Sequence, residues 1–342
     1  MITSVLKNYL EECRQLVLDE IDEITPKNRY RPVLYDLVLD YPLRGGKAFR
    51  PALCIATCRA LGGRLEDVLR TAAVLELFHN AFLVHDDIED GSLMRRGEPT
   101  LHLNYGVPIA VNVGDASFVL CLQPLLDNMQ LLGLGKAIQI LQIVATMARE
   151  SVEGQAMELD WIRTGQWRLR DRDYYHMCFK KSCWYTFVAP TQIGAAVCGA
   201  SPRLLALLRT YARYTGIAFQ IQDDVLNLVA DQSRYGKEIG GDLWEGKYTL
   251  ILMHMMRSAT EPEAERARCI LSKARPDKSE AEVRYLFELI ERYGSIEHAR
   301  AIAQKMASKA QQALGQASEW MPASVHRDFL TAMVEYVIAR DR

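Results

Sequence analysis

Hydrophobic positions recur at three- and four-residue spacing along almost the whole chain. Over residues 1–25, Val5, Tyr9, Leu10, Cys13, Leu16, Val17 and Ile21 return on one face with charges between them, and Pro26 ends the run. That is the pattern of an amphipathic helix. The same period predicts helices over 30–40, 50–61, 64–90, 107–131, 136–160, 170–199 (with Pro190 as a candidate break), 203–230, 247–259, 263–275, 280–293, 296–318 and 324–340. Alternating strand-like runs are absent, so no glycine-rich loop has a strand to follow. Rossmann and P-loop readings fall away, and an all-α bundle is the expected class.

Composition narrows this only a little. The 342 residues contain no Pro/Gly/Ser-rich linker, so one domain over 1–342 is expected, and 49% hydrophobic residues supply an ample core. A net charge of -2 gives no general attraction to nucleic acid or membrane. The scattered Trp161, Trp167, Trp184, Trp244 and Trp320 form no stacking platform for bases. Eight cysteines (Cys13, Cys54, Cys58, Cys121, Cys178, Cys183, Cys198, Cys269) lack metal-type C-x-x-C spacing, and no signal-peptide pattern opens the chain. Reduced thiols in a cytoplasmic protein are expected, with no nucleic-acid partner and no stable membrane insertion.

The chemistry concentrates in the predicted helix over 64–90. It ends His79-Asn-Ala-Phe82-Leu-Val-His85-Asp86-Asp87-Ile-Glu-Asp90. On a helix, Asp86 and Asp90 share one face with Cβ atoms about 5–6 Å apart. Their face runs back through Phe82, Phe78 and Val74 and offers no basic residue. A hard divalent cation such as Mg2+, held by one or two carboxylates and completed by water and substrate phosphates, answers that repulsion. Acidic helix ends are commonly just solvated, but a second example, Gln220-Ile-Gln-Asp223-Asp224-Val-Leu-Asn227, lies on a separate predicted helix.

Three loops add cations. Arg44-Gly45-Gly46-Lys47-Ala48-Phe49-Arg50-Pro51 joins paired glycines to a helix start, a combination that suits anions as well as a plain turn. Arg95-Arg96 follows Asp90 closely, and two guanidinium forks there match a diphosphate bridged to Mg2+. Tyr235-Gly236-Lys237 through Lys247-Tyr248-Thr249 brings two more lysines near the second acidic helix. His85 is read as structural, His102, His176 and His254 stay unassigned, and Met253, Met255 and Met256 read as core filler.

Taken together, Gly45-Gly46-Lys47-x-x-Arg50-Pro51, the first acidic motif with its Arg95-Arg96-Gly97-x-Pro99-Thr100-x-His102 tail, Phe219-Gln220-x-x-Asp223-Asp224, and Gly236-Lys237…Asp242-Leu-x-x-Gly246-Lys247-x-Thr249 resemble the trans-isoprenyl diphosphate synthase (polyprenyl synthetase) family, which includes the farnesyl and geranylgeranyl diphosphate synthases. The match spans about residues 40–250. The resemblance implies antiparallel helices around a deep central cavity, the isoprenoid synthase type I fold, working as a homodimer with Mg2+. It implies that Asp86, Asp87 and Asp90, with Asp223, Asp224 and Asn227, hold Mg2+ against an allylic diphosphate. Arg95, Lys181, Ser182, Gln220, Lys237 and Lys247 complete that pocket, with Asp86, Asp90, Asp223, Lys181 and Lys237 as the catalytic set. Isopentenyl diphosphate then lies against Lys47, Arg50, His79 and Arg96. Asn227 stands where many relatives carry a third aspartate, Ser182 where threonine is usual, and Ala48 where arginine is frequent.

Two rivals share this fold. A class I terpene cyclase binds no second diphosphate, so Lys47, Arg50, His79 and Arg96 together favour elongation. A non-catalytic subunit of a heteromeric synthase typically loses an acidic motif, and both are present. Relatives limit chain length just before the first motif, so Phe82 and Phe78 are expected to form the floor of the cavity, with small Ala81 beside them. A short product follows, geranylgeranyl diphosphate ahead of farnesyl diphosphate.

Overall fold

The computed structural model describes residues 2–229 and 239–339. The expected all-α class holds: helices α1 (Ile2–Ile24), α2 (Tyr35–Leu43), α3 (Phe49–Ala60), α4 (Leu69–Glu89), α5 (Leu101–Tyr105), α6 (Val107–Leu120), α7 (Leu122–Leu132), α8 (Leu134–Thr164), α9 (Asp171–Cys178), α10 (Ala189–Val197) and α11 (Pro202–Val229) follow in order. Helices over Gly241–Glu245, Leu250–Ser258, Glu261–Leu271, Glu280–Arg292, Ser295–Ala317 and Val325–Ala339 complete the chain. Two compact units result, one from Met1–Ala148, Tyr185–Ala212 and Gln311–Val334, the other from Arg149–Trp184, Arg213–Ala310 and Glu335–Arg342.

In the first unit α4 is the central element. Ala72, Ala73, Val74, Leu75, Leu77, Phe78, Ala81 and Val84 are all buried, and a helix apolar nearly all round has to be enclosed. It packs against α1, α3 and α6. Of the apolar stripe expected on α1, Tyr9, Leu10, Cys13, Val17 and Ile21 are buried, together with Leu6, while Leu16 is exposed. Tyr9 stacks on Phe329 with centroids 4.4 Å apart. Helix α10 lies directly on α3, where a Cβ on Gly194 would fall 2.4 Å from the Cys54 carbonyl oxygen.

In the second unit the Leu250–Ser258 helix packs on α9 and on the two helices that follow it. Those two begin with reciprocal caps, Thr260 with Glu263 and Ser279 with Glu282. The Leu250 helix starts three residues later than its period predicted, because Thr249 Oγ accepts from Leu252 N and fixes the N-cap.

Three further differences from the expected pattern matter. The 107–131 stretch turns at Cys121 into two helices. The 170–199 stretch does not break at Pro190; its winding widens to a π-helix over Phe179–Val188 and returns to α at Ala189, with Pro190 in the first turn where no N–H is needed. A small hairpin also appears, pairing Met94 with Pro99 and Arg95 with Glu98. Arg96 and Gly97 form its two-residue turn with φ of 55° and 82°, both left-handed as a type I′ turn requires.

Candidate active site

Helix α4 delivers the first acidic motif, and its wheel separates the three aspartates. Asp86 and Asp90 lie one turn apart, both half-buried. Asp87 points the other way and is 0% exposed. Its Oδ2 accepts from the Tyr41 hydroxyl at 2.6 Å. Arg95 Nε donates to Oδ1 at 2.9 Å and to Oδ2 at 3.1 Å, and Arg95 Nη2 donates to Oδ1 as well. Asp87, expected as a metal ligand, is buried with both carboxylate oxygens engaged by Tyr41 and Arg95. Arg95, expected at the allylic diphosphate, is its counter-ion, with Asp86 3.8 Å away.

The hairpin explains why neighbouring arginines part. Successive strand residues face opposite ways, so Arg95 turns inward while Arg96 occupies the turn. A left-handed conformation costs a non-glycine residue about 1–2 kcal/mol. Arg96 is held there by its bond from Nη1 to the Tyr41 carbonyl oxygen and by Gly46, where a Cβ would lie 2.9 Å from Arg96 Nη2. Arg44 pins the same hairpin by donating to the carbonyls of Pro99 at 2.7 Å and Arg95 at 3.3 Å. The Gly45-Gly46 loop thus seats a guanidinium.

Arg96 stands among cations. Burial, only partly opposed by Glu76 at 4.0 Å, pulls its guanidinium pKa down, and Arg95 and Arg50 pull the same way. Arg50, buried at the start of α3, donates to Thr186 Oγ1 at 2.8 Å and lies over the Tyr185 ring at 4.6 Å. The His79 ring stacks on the same tyrosine at 5.9 Å. Lys47 lies over Phe49 at 5.8 Å. Of the four residues expected at isopentenyl diphosphate, Arg50 and His79 meet on Tyr185, Arg96 adds to their field, and Lys47 occupies the intervening loop.

The expected floor is aromatic and larger than its sequence suggests. Phe78 and Phe82 are 6.2 Å apart, and Phe118 from α6 lies 5.2 Å and 5.3 Å from them. Tyr185 lies 5.3 Å from Phe82. Ala81, expected beside them, is fully buried. His85 rests on Gly114, where a Cβ would fall 2.3 Å from its Nε2, which supports its structural reading.

The second unit repeats the logic of the first. Asp223 is half-buried, and its neighbour Asp224 is buried with Oδ2 accepting from the Tyr174 hydroxyl at 2.7 Å and Oδ1 from Gln220 Nε2 at 2.9 Å. Burial first, then Asp242 and Asp223, push the Asp224 carboxyl well above the usual carboxylate range, against those two hydrogen bonds. Asp224, expected as a ligand, thus has both carboxylate oxygens engaged by protein donors. Asn227, expected at the metal, is buried, and its Oδ1 accepts from Asp242 N at 3.2 Å at the start of the Gly241–Glu245 helix. Lys181, on the π-helical turn, contacts Glu158 at 2.5 Å, with half-buried Ser182 beside it. That turn presses on α8 so closely that a Cβ on Gly154 would lie 2.2 Å from Lys181 N. Lys247 contacts Glu245 at 2.8 Å. Lys237 lies outside the described residues.

Residues 32–290 match the polyprenyl synthetase family. The chain belongs to it. A short chain isoprenyl diphosphate synthase of Methanothermobacter thermautotrophicus is 32% identical over 99% of both chains. The crystal structure of a geranylgeranyl pyrophosphate synthetase from Pyrococcus horikoshii superposes with a TM-score of 0.86 at 32% identity over 99% of both chains. That of a polyprenyl synthase from Caulobacter crescentus, complexed with calcium and isoprenyl diphosphate, gives 0.85 at 27% identity over 100% of this chain and 97% of that one.

The half-buried carboxylates of Asp86, Asp90 and Asp223 have the oxygen chemistry that suits a hard divalent cation. Among the described residues no three His, Cys, Asp or Glu side chains converge into a protein cage. Mg2+ needs none, since it keeps water and takes substrate phosphates. Tyr41, Tyr174, Tyr185, Phe118, Glu76 and Glu158 were not found from the sequence. They belong to no short motif and meet the site only through the fold.

Proposed function

We propose that this polyprenyl synthetase is a short-chain trans-prenyltransferase that condenses isopentenyl diphosphate with an allylic diphosphate. The whole chain acts as one catalytic domain. What supports the reading is that the first unit holds both the half-buried Asp86 and Asp90, one helical turn apart, and a basic group in which buried Arg50 and His79 meet on Tyr185 near half-buried Arg96. One diphosphate held through a metal and a second held by arginines suit elongation, whereas a cyclase needs only the first.

Asp86 and Asp90 in the first unit, and Asp223 in the second, would each hold Mg2+, which when bound would offset the charge on a substrate diphosphate. In the second unit Lys181, Ser182, Gln220 and Lys247, with Lys237, would bind an allylic diphosphate and stabilise the negative charge growing on it as the carbon–oxygen bond breaks. Lys47, Arg50, His79 and Arg96 orient isopentenyl diphosphate, whose double bond attacks the allylic cation. The released diphosphate accepts the proton lost next. Apolar helix faces exclude the water that would quench the cation. Phe78, Phe82 and Phe118 stop growth at geranylgeranyl diphosphate, with farnesyl diphosphate the second reading.

A second copy of the chain is the partner we assign. Helices α6 and α7, Val107–Leu132, are apolar and long enough by length and composition to cross a membrane. Their outer positions Val107, Ile109, Val119, Leu122, Leu126 and Met129 are exposed. A homodimer in the cytoplasm covers such a face. Incubating the pure protein with labelled isopentenyl diphosphate and allylic primers of increasing length tests the function. Extension ending at geranylgeranyl diphosphate is expected; a cyclic hydrocarbon or no incorporation would overturn it.

A further inference from the structure

Cys58 lies in the last turn of α3 and Cys198 just follows α10, so the two ends of this closely packed helix pair each carry a thiol. Their sulfurs stand 3.6 Å apart, in van der Waals contact across 140 residues of chain. Cys198 Sγ also lies 3.3 Å from the Cys58 carbonyl oxygen. Gly63 gives the pair its space. A Cβ there would fall 2.4 Å from Cys58 Sγ and 2.6 Å from Cys198 Sγ.

The two thiols differ in ways that suit different roles. Cys58 is fully buried, with its Sγ 3.7 Å from the Arg64 carbonyl oxygen. Cys198 is half-buried and so reachable from solvent. Its hydrogen bond with Cys58 holds the Cys198 thiol below its usual pKa against the opposing effect of burial. The Gly63 N–H and the Lys136 ammonium pull the same way, and Asp67 opposes them. Lys136 is fixed by donating to the Val197 carbonyl at 2.7 Å. Reactive thiols occupy such partly exposed, cation-flanked places, whereas apolar burial makes cysteines inert. Prenyl transfer uses neither sulfur.

We propose that Cys198 and Cys58 form an oxidative modification site whose reactant is a hydroperoxide. The Cys198 thiolate attacks the peroxide, forming an S–O bond and breaking O–O, and the departing hydroxide takes a proton to become water. Cys58 then attacks the sulfenic sulfur: S–S forms, S–O breaks, and the second hydroxide leaves as water with the Cys58 proton. Two thiols are oxidised and one hydrogen peroxide is reduced to two waters. A dithiol reductant reverses the bond by exchange. The product ties the end of α3, the helix that begins with Arg50, to the end of α10.

The test treats the intact protein with hydrogen peroxide, blocks remaining thiols with N-ethylmaleimide and maps peptides without reduction. Of the eight cysteines, Cys58 and Cys198 should be recovered as one linked peptide, with an intact-mass loss of about 2 Da that a dithiol restores. Cys58→Ser should stop at a sulfenic acid that dimedone traps on Cys198, and Cys198→Ser should keep all its thiols open to alkylation. The wild-type map decides the matter even if a variant folds badly. A Cys54–Cys198 link, or oxidation of exposed Cys269 while Cys58 and Cys198 remain alkylatable, would overturn the proposal.

Discussion

The Tyr41 hydroxyl donates to Oδ2 of Asp87 at 2.6 Å, and this bond turns the middle carboxylate of the first acidic motif into a structural anchor. Asp87 also neutralises Arg95, which carries the hairpin and hence Arg96. Removing one member of a buried ion pair costs about 3–5 kcal/mol. Asp87→Ala should therefore lower stability in urea by that order, and Tyr41→Phe by about 0.5–1.5 kcal/mol. Asp86→Ala, at the half-buried position, should leave stability nearly unchanged. An Asp87→Ala protein as stable as wild type would remove the anchor reading.

The two diphosphate pockets should separate kinetically. Lys47→Ala and Arg96→Ala each delete a charge-assisted contact, so the Michaelis constant for isopentenyl diphosphate should rise about tenfold or more while that for the primer moves little. Equal effects on both substrates would mean that these residues serve the other pocket.

Product length tests the aromatic floor. Phe82→Ala should lengthen the product by at least one five-carbon unit. Phe118→Ala, 5.3 Å from Phe82 on another helix, should do the same, and the double variant should lengthen it further. Unchanged chain length on chromatography of all three products would place the floor elsewhere.

How far the chain was legible follows from these residues. Helix spacing carried the all-α class, and the order of the glycine-rich, acidic and basic motifs carried the family. Period alone put Asp86 and Asp90 on one face, but it could not say which neighbour turned inward. That choice depends on Tyr41, forty-six residues earlier in the chain, and on Tyr174 for Asp224. Arg95 and Arg96 looked like a pair because the two-residue turn between short strands gives no periodic signal. Phe118 was hidden for the same reason as the tyrosines: it reaches Phe78 and Phe82 through helix packing, and its own surroundings in sequence are ordinary for a core helix.

Lys278 offers a pH test in the second unit. It is buried and donates to the Leu243 and Trp244 carbonyls at 3.1 Å and 2.6 Å, closing the helix that precedes Lys247. Burial, then Arg275, push it down to about 8 from 10.5, against Glu245 and Glu282. Below pH 8 both folded and unfolded chains carry the proton, and the folded chain bears the full cost of burying it. Between pH 8 and 10.5 the unfolded chain binds more protons, so this residue's contribution to stability rises with pH. The gap between wild type and Lys278→Met in urea should shift in favour of wild type across that window. A gap that stays constant would contradict the assignment.

The most direct measurement of the central claim is the rate of incorporation of labelled isopentenyl diphosphate with Mg2+ present, for wild type, Asp86→Ala and Asp223→Ala, alongside their melting temperatures. Each variant should lose about a hundredfold or more in turnover with a melting temperature close to that of wild type, and chelation of Mg2+ should stop the wild-type reaction. Near-normal turnover in either variant, or a rate that survives chelation, would contradict metal-dependent prenyl transfer at these two helices.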